Sequence, residues 1–205
     1  MKRLICFGDS ITGPHPETRY LEHYLKWSDL LQLALETHLG VGAVEVLNRG
    51  WAGSNSTQAV ARLDKDVLAV HPDVVVILIG GNDFDPAAER EGRAVEFERN
   101  LTTIVRRMKE EGTRVLLLQY AEPRSDDMTK VWTHLNAGNG IISEVGNREG
   151  IPILSLETGF AEAAKTHPLA ELINRIDGVH LNPYGEIVVA RSVFFKLREL
   201  GWLTP

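Results

Sequence analysis

A single cysteine, Cys6, stands in the 205 residues, so no intrachain disulfide can form. Its place in Leu4-Ile5-Cys6-Phe7 predicts a small buried core residue and not a reactive thiol. Nowhere do about 18 apolar residues run together, which excludes a helical membrane span from the reading. The apolar stretch after Met1-Lys2-Arg3 ends at Phe7, short of a signal-peptide core, and the expected location is cytoplasmic. Basic charge is also scarce: 22 Lys and Arg stand against 28 Asp and Glu, a formal charge of -6. That balance argues against nucleic-acid and anionic-membrane partners, which need clustered cations; Arg106, Arg107 and Lys109 read as one exposed helix face. The chain lacks the Gly-x-Ser-x-Gly elbow, a phosphate-binding Gly-x-x-x-x-Gly-Lys-Ser/Thr loop and any His and Cys cluster of zinc-binding type. No metal or cofactor is therefore expected.

What remains is an ordinary globular composition, 43% hydrophobic and 24% charged, of a length that suits one domain over residues 1–205. Short apolar runs recur at Arg3 to Phe7, Val44 to Leu47, Val74 to Ile79, Val115 to Leu118 and Pro152 to Leu156. Such runs suit strands covered on both faces, as in a parallel sheet. Helical patterns lie between them: Leu30 to Leu39 before Gly40, Gln58 to Val70 before Pro72, Phe97 to Met108 before Gly112, and Pro183 to Leu200 before Gly201. Strand and helix in alternation predict right-handed crossovers and an α/β fold, a three-layer α/β/α sandwich on a five-stranded parallel sheet of flavodoxin-like order. Glu122 to Thr133 and Thr158 to Thr166 read as longer polar connections at the rim.

Ligands of such sheets bind beyond the carboxyl ends of the strands, and three motifs fall there. Gly8-Asp9-Ser10 closes the first run, Asn48-Arg-Gly-Trp-Ala-Gly53 follows the second, and Gly80-Gly81-Asn82-Asp83 follows the third. Asp177 and His180 sit three residues apart near the chain's end. A serine hydroxyl is a poor nucleophile until an imidazole takes its proton and a carboxylate orients that imidazole. Ser10, His180 and Asp177 therefore read as a split triad. The other histidines, His15, His23, His38, His71, His134 and His167, lack a carboxylate at that spacing before a helix, although His15 and His23 follow Ser10 closely.

These blocks together resemble the SGNH hydrolase superfamily, also called the GDSL esterase/lipase family, with Ile11 where the name-giving pattern has Leu. The resemblance implies that Ser10 is the nucleophile, Asp9 a brace of the turn, Gly53 N–H and the Asn82 side chain donors to the oxyanion, and Asp177 and His180 the rest of the triad. The Ser10 N–H would complete the donor set, and the spacing from Asn48 favours Gly53 over Gly50. Asp83 reads as a loop brace. Trp51, Phe84, Trp132 and Leu181 adjoin the blocks as possible pocket walls. The implied activity is metal-independent hydrolysis of a small-molecule carboxylic ester through an acyl-enzyme. Small acyl esters or acetylated carbohydrates come first, thioesters and lysophospholipids behind. Two rivals stand beside it. One is a magnesium-dependent phosphotransferase with Asp9 as nucleophile, which leaves Asp177 and His180 unused. The other is a non-catalytic binding module on the same fold.

Overall fold

A computed structural model describes residues 1–13, 25–85, 90–121, 135–174 and 178–203. Five strands, β1 (Lys2–Gly8), β2 (Val44–Gly50), β3 (Val74–Leu78), β4 (Arg114–Gln119) and β5 (Ile153–Ser155), form one sheet in the order β2-β1-β3-β4-β5. Every neighbouring pair is parallel, which is the flavodoxin-like order expected from the sequence. The last five residues of β1 and all five of β3 are buried, because helices cover both faces of these central strands.

The strand period of two divides the core between the faces. Leu4, Cys6, Val74, Val76 and Leu78 pack with Trp27, Leu31 and Leu35 of helix α1 (Trp27–Leu39) and with Val189, Val193 and Leu197 of the last helix. Ile5, Phe7, Val75 and Ile77 pack on the other side with α2 (Ser56–Asp66) through Leu63 and with α3 (Arg93–Glu110) through Phe97, Leu101 and Ile104. Cys6 is fully buried as expected, and burial pushes its thiol well above the ordinary range, so it is chemically inert.

Several elements differ in extent from the sequence reading. Helix α2 starts at Ser56 because Asn55 caps it: its side chain accepts the Gln58 N–H (3.0 Å) while Gln58 accepts the Asn55 N–H (3.0 Å). It ends at Asp66, and Leu68–Val70 forms only a single tighter turn. His71 caps that turn in the left-handed region at φ 50°, its N–H on the Leu68 carbonyl (3.0 Å). Helix α4 (Asn139–Glu149) lies between β4 and β5, in a stretch without a helical reading. Its Asn- and Gly-rich start mimics a loop, while Ile142 and Val145 bury its inner face. The stretch read as a polar connection at Thr158 to Thr166 instead carries helix α5 (Glu157–Ala163). Two turns with one large buried side chain, Phe160, are too short to display a periodic pattern. The other expected rim segment, Glu122 to Thr133, lies outside the described residues.

After the short helix α6 (Leu169–Leu172), α7 (Pro183–Glu199) begins with proline in its first turn, preceded by extended Asn182. A buried ion pair joins α7 to α1. Lys26 Nζ lies 2.5 Å from Glu186 Oε1, and Glu186 Oε2 accepts the Trp27 N–H at 2.8 Å.

Candidate active site

Strand register sets the site. Gly8, the last residue of β1, pairs with Gly50 on one side and Leu78 on the other, so three chain segments leave the sheet level with one another. Their backbones then meet closely. A Cβ on Gly8 would lie 2.1 Å from the Leu78 carbonyl oxygen, and one on Gly50 would lie 2.0 Å from the Gly13 nitrogen, so only hydrogen fits at either position. Gly53 is a different case: a Cβ there would meet open space, and its φ of 75° is what favours glycine.

Ser10 stands in the tight turn beyond β1. The Asp9 carbonyl accepts N–H groups of Thr12 (3.2 Å) and Gly13 (2.8 Å), and Asp9 Oδ1 accepts the Ile11 N–H (2.9 Å). Ser10 is 9% exposed, and its Oγ lies 2.8 Å from His180 Nε2. The sequence separates these two side chains by 170 positions. The His180 loop is tied down on its own side: Asn174 N–H donates to the His180 carbonyl (2.8 Å), and Asn182 donates through Nδ2 to the carbonyls of Ala170 (2.6 Å) and Ile173 (3.1 Å). Asp177 lies outside the described residues, as do His15, His23, Trp132 and His134.

Asn82 follows β3 in a single tight turn, Gly81–Asp83. Its Nδ2 donates to the Ser54 carbonyl at 2.9 Å, beside Gly53, and a primary amide has a second hydrogen to give. Asn82 and the Gly53 loop are thereby brought together. Asp83 accepts from Ser56 N–H (3.0 and 3.1 Å) and Ser56 Oγ–H (2.5 Å), bracing the loop against the positive end of α2. Burial raises its carboxyl despite these donors.

Asp9 is held through both side-chain oxygens. It is buried, and desolvation pushes its carboxyl up to about 6 against the Tyr120 and Ile11 hydrogen bonds and the charges of His180 and Lys26. Tyr120 Oη–H donates to Asp9 Oδ2, and the same hydroxyl accepts the Gly81 N–H at 3.2 Å.

Of the proposed pocket walls, Phe84 and Leu181 are buried in the cores, whereas Trp51 is 58% exposed at the rim. Several contributors escaped the sequence reading. Arg62 of α2 reaches under the site, with Nη2 on the Gly8 carbonyl (2.7 Å) and Nη1 on the Arg49 carbonyl (2.8 Å). In the sequence it forms an i, i+4 pair with Asp66, which reads as a surface contact. Asn48, already marked as the start of the second block, binds the loop after Ser10, donating to the Thr12 carbonyl at 2.8 Å. Tyr120 has no spacing signal beyond its place at a strand end.

Among the described residues no helix is long and apolar enough to cross a membrane. Known relatives match nearly the whole chain. An acetylxylan esterase of Geobacillus stearothermophilus is 26% identical, the match covering 98% of this chain and 94% of that protein. The lipoprotein YqeF of Bacillus subtilis (strain 168) is 24% identical over 93% of this chain and 87% of its own. The crystal structure of the acetyl xylan esterase AlAXEase superposes with a TM-score of 0.78 at 26% identity, covering 95% of this chain and 99% of that one. Residues 6–186 match the GDSL-like Lipase/Acylhydrolase family, and the chain belongs to that family of ester hydrolases.

Proposed function

We propose that the protein is a metal-independent serine esterase that removes small acyl groups, acetyl first among them, from a carbohydrate alcohol. The observation that carries the reading is the 2.8 Å contact between Ser10 Oγ and His180 Nε2 at the level edge of the sheet. In the reaction His180 takes the Ser10 proton as Oγ attacks the ester carbonyl, and Asp177 holds the other ring nitrogen. Negative charge on the carbonyl oxygen is met by N–H groups of Ser10 and Gly53 and by the Asn82 amide. The intermediate collapses, His180 protonates the departing sugar oxygen, and Ser10 is left acylated. A water, deprotonated by His180, attacks the acyl carbon, and the acid leaves as Ser10 recovers its proton.

The choice of an acetylated carbohydrate rests on the relatives called acetylxylan esterases. The two cores share one sheet, which supports a single folding domain over the chain. We place the enzyme in the cytoplasm; membrane and soluble fractions probed with an antibody test this, since one relative is called a lipoprotein. The central experiment compares wild type and Ser10→Ala on p-nitrophenyl esters from acetate upward and on acetylated xylo-oligosaccharides, with EDTA present. Turnover in the wild type alone, falling with acyl length, is the expected result. Activity that survives in Ser10→Ala, or that EDTA abolishes, would overturn the mechanism.

A further inference from the structure

We propose that Tyr120 is a positioning residue that locks the nucleophile turn to the oxyanion loop. The inference rests on the serine-esterase reading of this site and adds to it a part that the motifs do not contain. Tyr120 stands one residue beyond β4, 2% exposed, between two segments that must act on the same carbonyl. Its hydroxyl donates to Asp9, the residue before Ser10, and accepts the N–H of Gly81, the residue before Asn82. One oxygen atom thus joins the attacking group's turn to the turn of an oxyanion donor.

The anchor is itself fixed. Tyr120 N–H donates to Asn139 Oδ1 (3.1 Å) and Asn139 Nδ2 donates to the Tyr120 carbonyl (2.8 Å), so α4 grips the backbone on both sides. Gln119 adds bonds to the Asn139 carbonyl and Ser143 Oγ, each 2.8 Å. The ring also packs on Gly81, where a Cβ would lie 3.4 Å from the Tyr120 oxygen and 2.4 Å from Leu135 Cδ2. Bonds at both ends leave the hydroxyl no freedom to swing away. Nucleophile and oxyanion donors have to meet a reacting carbonyl within a few tenths of an ångström, and a displacement of about 1 Å costs on the order of a hundredfold in rate.

Deleting the hydroxyl removes both links while keeping the ring in place. Tyr120→Phe is expected to lower kcat about 10- to 100-fold, with KM within about twofold of wild type, because substrate binding is untouched and the aligned attack is lost. The effect should be only partly additive with Asn82→Ala: once the donor is gone its alignment no longer matters and only the loss from the nucleophile turn remains, so the double variant should fall well short of the product of the two single losses.

The rates are normalised by titration with a fluorophosphonate, which counts only folded, reactive enzyme. Should Tyr120→Phe fail to fold, Asp9→Ala removes the acceptor and so breaks the same link from the other side, and it should show the same partial non-additivity. Wild-type kcat in Tyr120→Phe, or a loss that multiplies fully with that of Asn82→Ala, would overturn the positioning role. Ser10→Ala measured alongside keeps the readings apart: turnover in that variant would refute the serine mechanism itself.

Discussion

The buried pair of Lys26 and Glu186 gives the sharpest test of what holds the site's frame together. Glu186 is completely buried, six residues beyond His180, and its two oxygens are occupied by Lys26 Nζ and the Trp27 N–H. Lys26→Met keeps the apolar stem and removes the charge, leaving a buried carboxylate with one remaining donor from the helix start. Breaking such a pair from one side costs about 3–5 kcal/mol. At about 2–4 °C per kcal/mol for a chain of this size, Tm should fall by about 6–20 °C. Burial raises the Glu186 carboxyl in the fold, against the charge and hydrogen bond of Lys26 and the Trp27 N–H. A carboxyl whose folded pKa is raised binds its proton more tightly folded than unfolded. Its contribution therefore favours the fold at low pH and is lost as pH rises from the ordinary glutamate value through the folded one. Removing Lys26 raises the folded value further, so Lys26→Met should be most damaging at neutral pH and recover toward pH values of about 4.5. Urea denaturation followed by circular dichroism at the two pH values measures both effects, and Lys26→Met/Glu186→Gln should regain much of the loss at neutral pH. A single variant within about 1 kcal/mol of wild type at neutral pH, or equally weakened at both, would refute the reasoning.

The remaining predictions concern the reaction. Asn82→Ala should reduce kcat about a hundredfold with the fold intact, the usual loss for one oxyanion donor; steady-state kinetics on p-nitrophenyl acetate checks it. Part of that loss includes the broken bond to the Ser54 carbonyl, so thermal melts should fall by only a few degrees, the order expected for about 1 kcal/mol. Trp51→Ala should raise KM several-fold for an acetylated xylo-oligosaccharide and leave p-nitrophenyl acetate unchanged, since this exposed ring at the rim offers an apolar face to a sugar but not to an acetyl group. Equal effects on both substrates would remove Trp51 from sugar recognition.

Much of the frame was legible because buried parallel strands advertise themselves. Val74 to Ile79 and Leu4 to Phe7 are apolar on both faces, and the Gly, Asn and Ser residues at their ends mark where the chain turns. The short elements were not: α5 offers one buried large side chain and α4 begins in Asn and Gly, so neither displays the helical period early enough to be read. Block order proposes Ser10, Gly53, Asn82 and His180 as site residues, but it is silent on what surrounds them. Arg62, Tyr120 and the Lys26–Glu186 pair act across distances of 54, 111 and 160 positions. No local pattern encodes contacts of that separation; only the closed fold brings the partners together.

The supports share a logic that strand register explains. Gly8, Gly50 and Leu78 end level, so the turns beyond them begin from one rigid edge. A rigid start is not sufficient, because each turn then departs with its own backbone freedom. The molecule removes that freedom by crossing from block to block: Asn48 to the Thr12 carbonyl, Asn82 to the Ser54 carbonyl, Arg62 to the carbonyls of Gly8 and Arg49, and Tyr120 between Asp9 and Gly81. Each bond ends on the backbone or on a residue adjacent to a proposed reacting group, where a side chain can fix a loop without occupying the space a substrate needs. Preorganised donors are worth most in a water-poor site, where they do not have to reorient as charge develops. The polar burial at Asp9 is costly unless its oxygens are satisfied, and the Ile11 N–H and Tyr120 hydroxyl satisfy them while tying the turn after β1 to the end of β4.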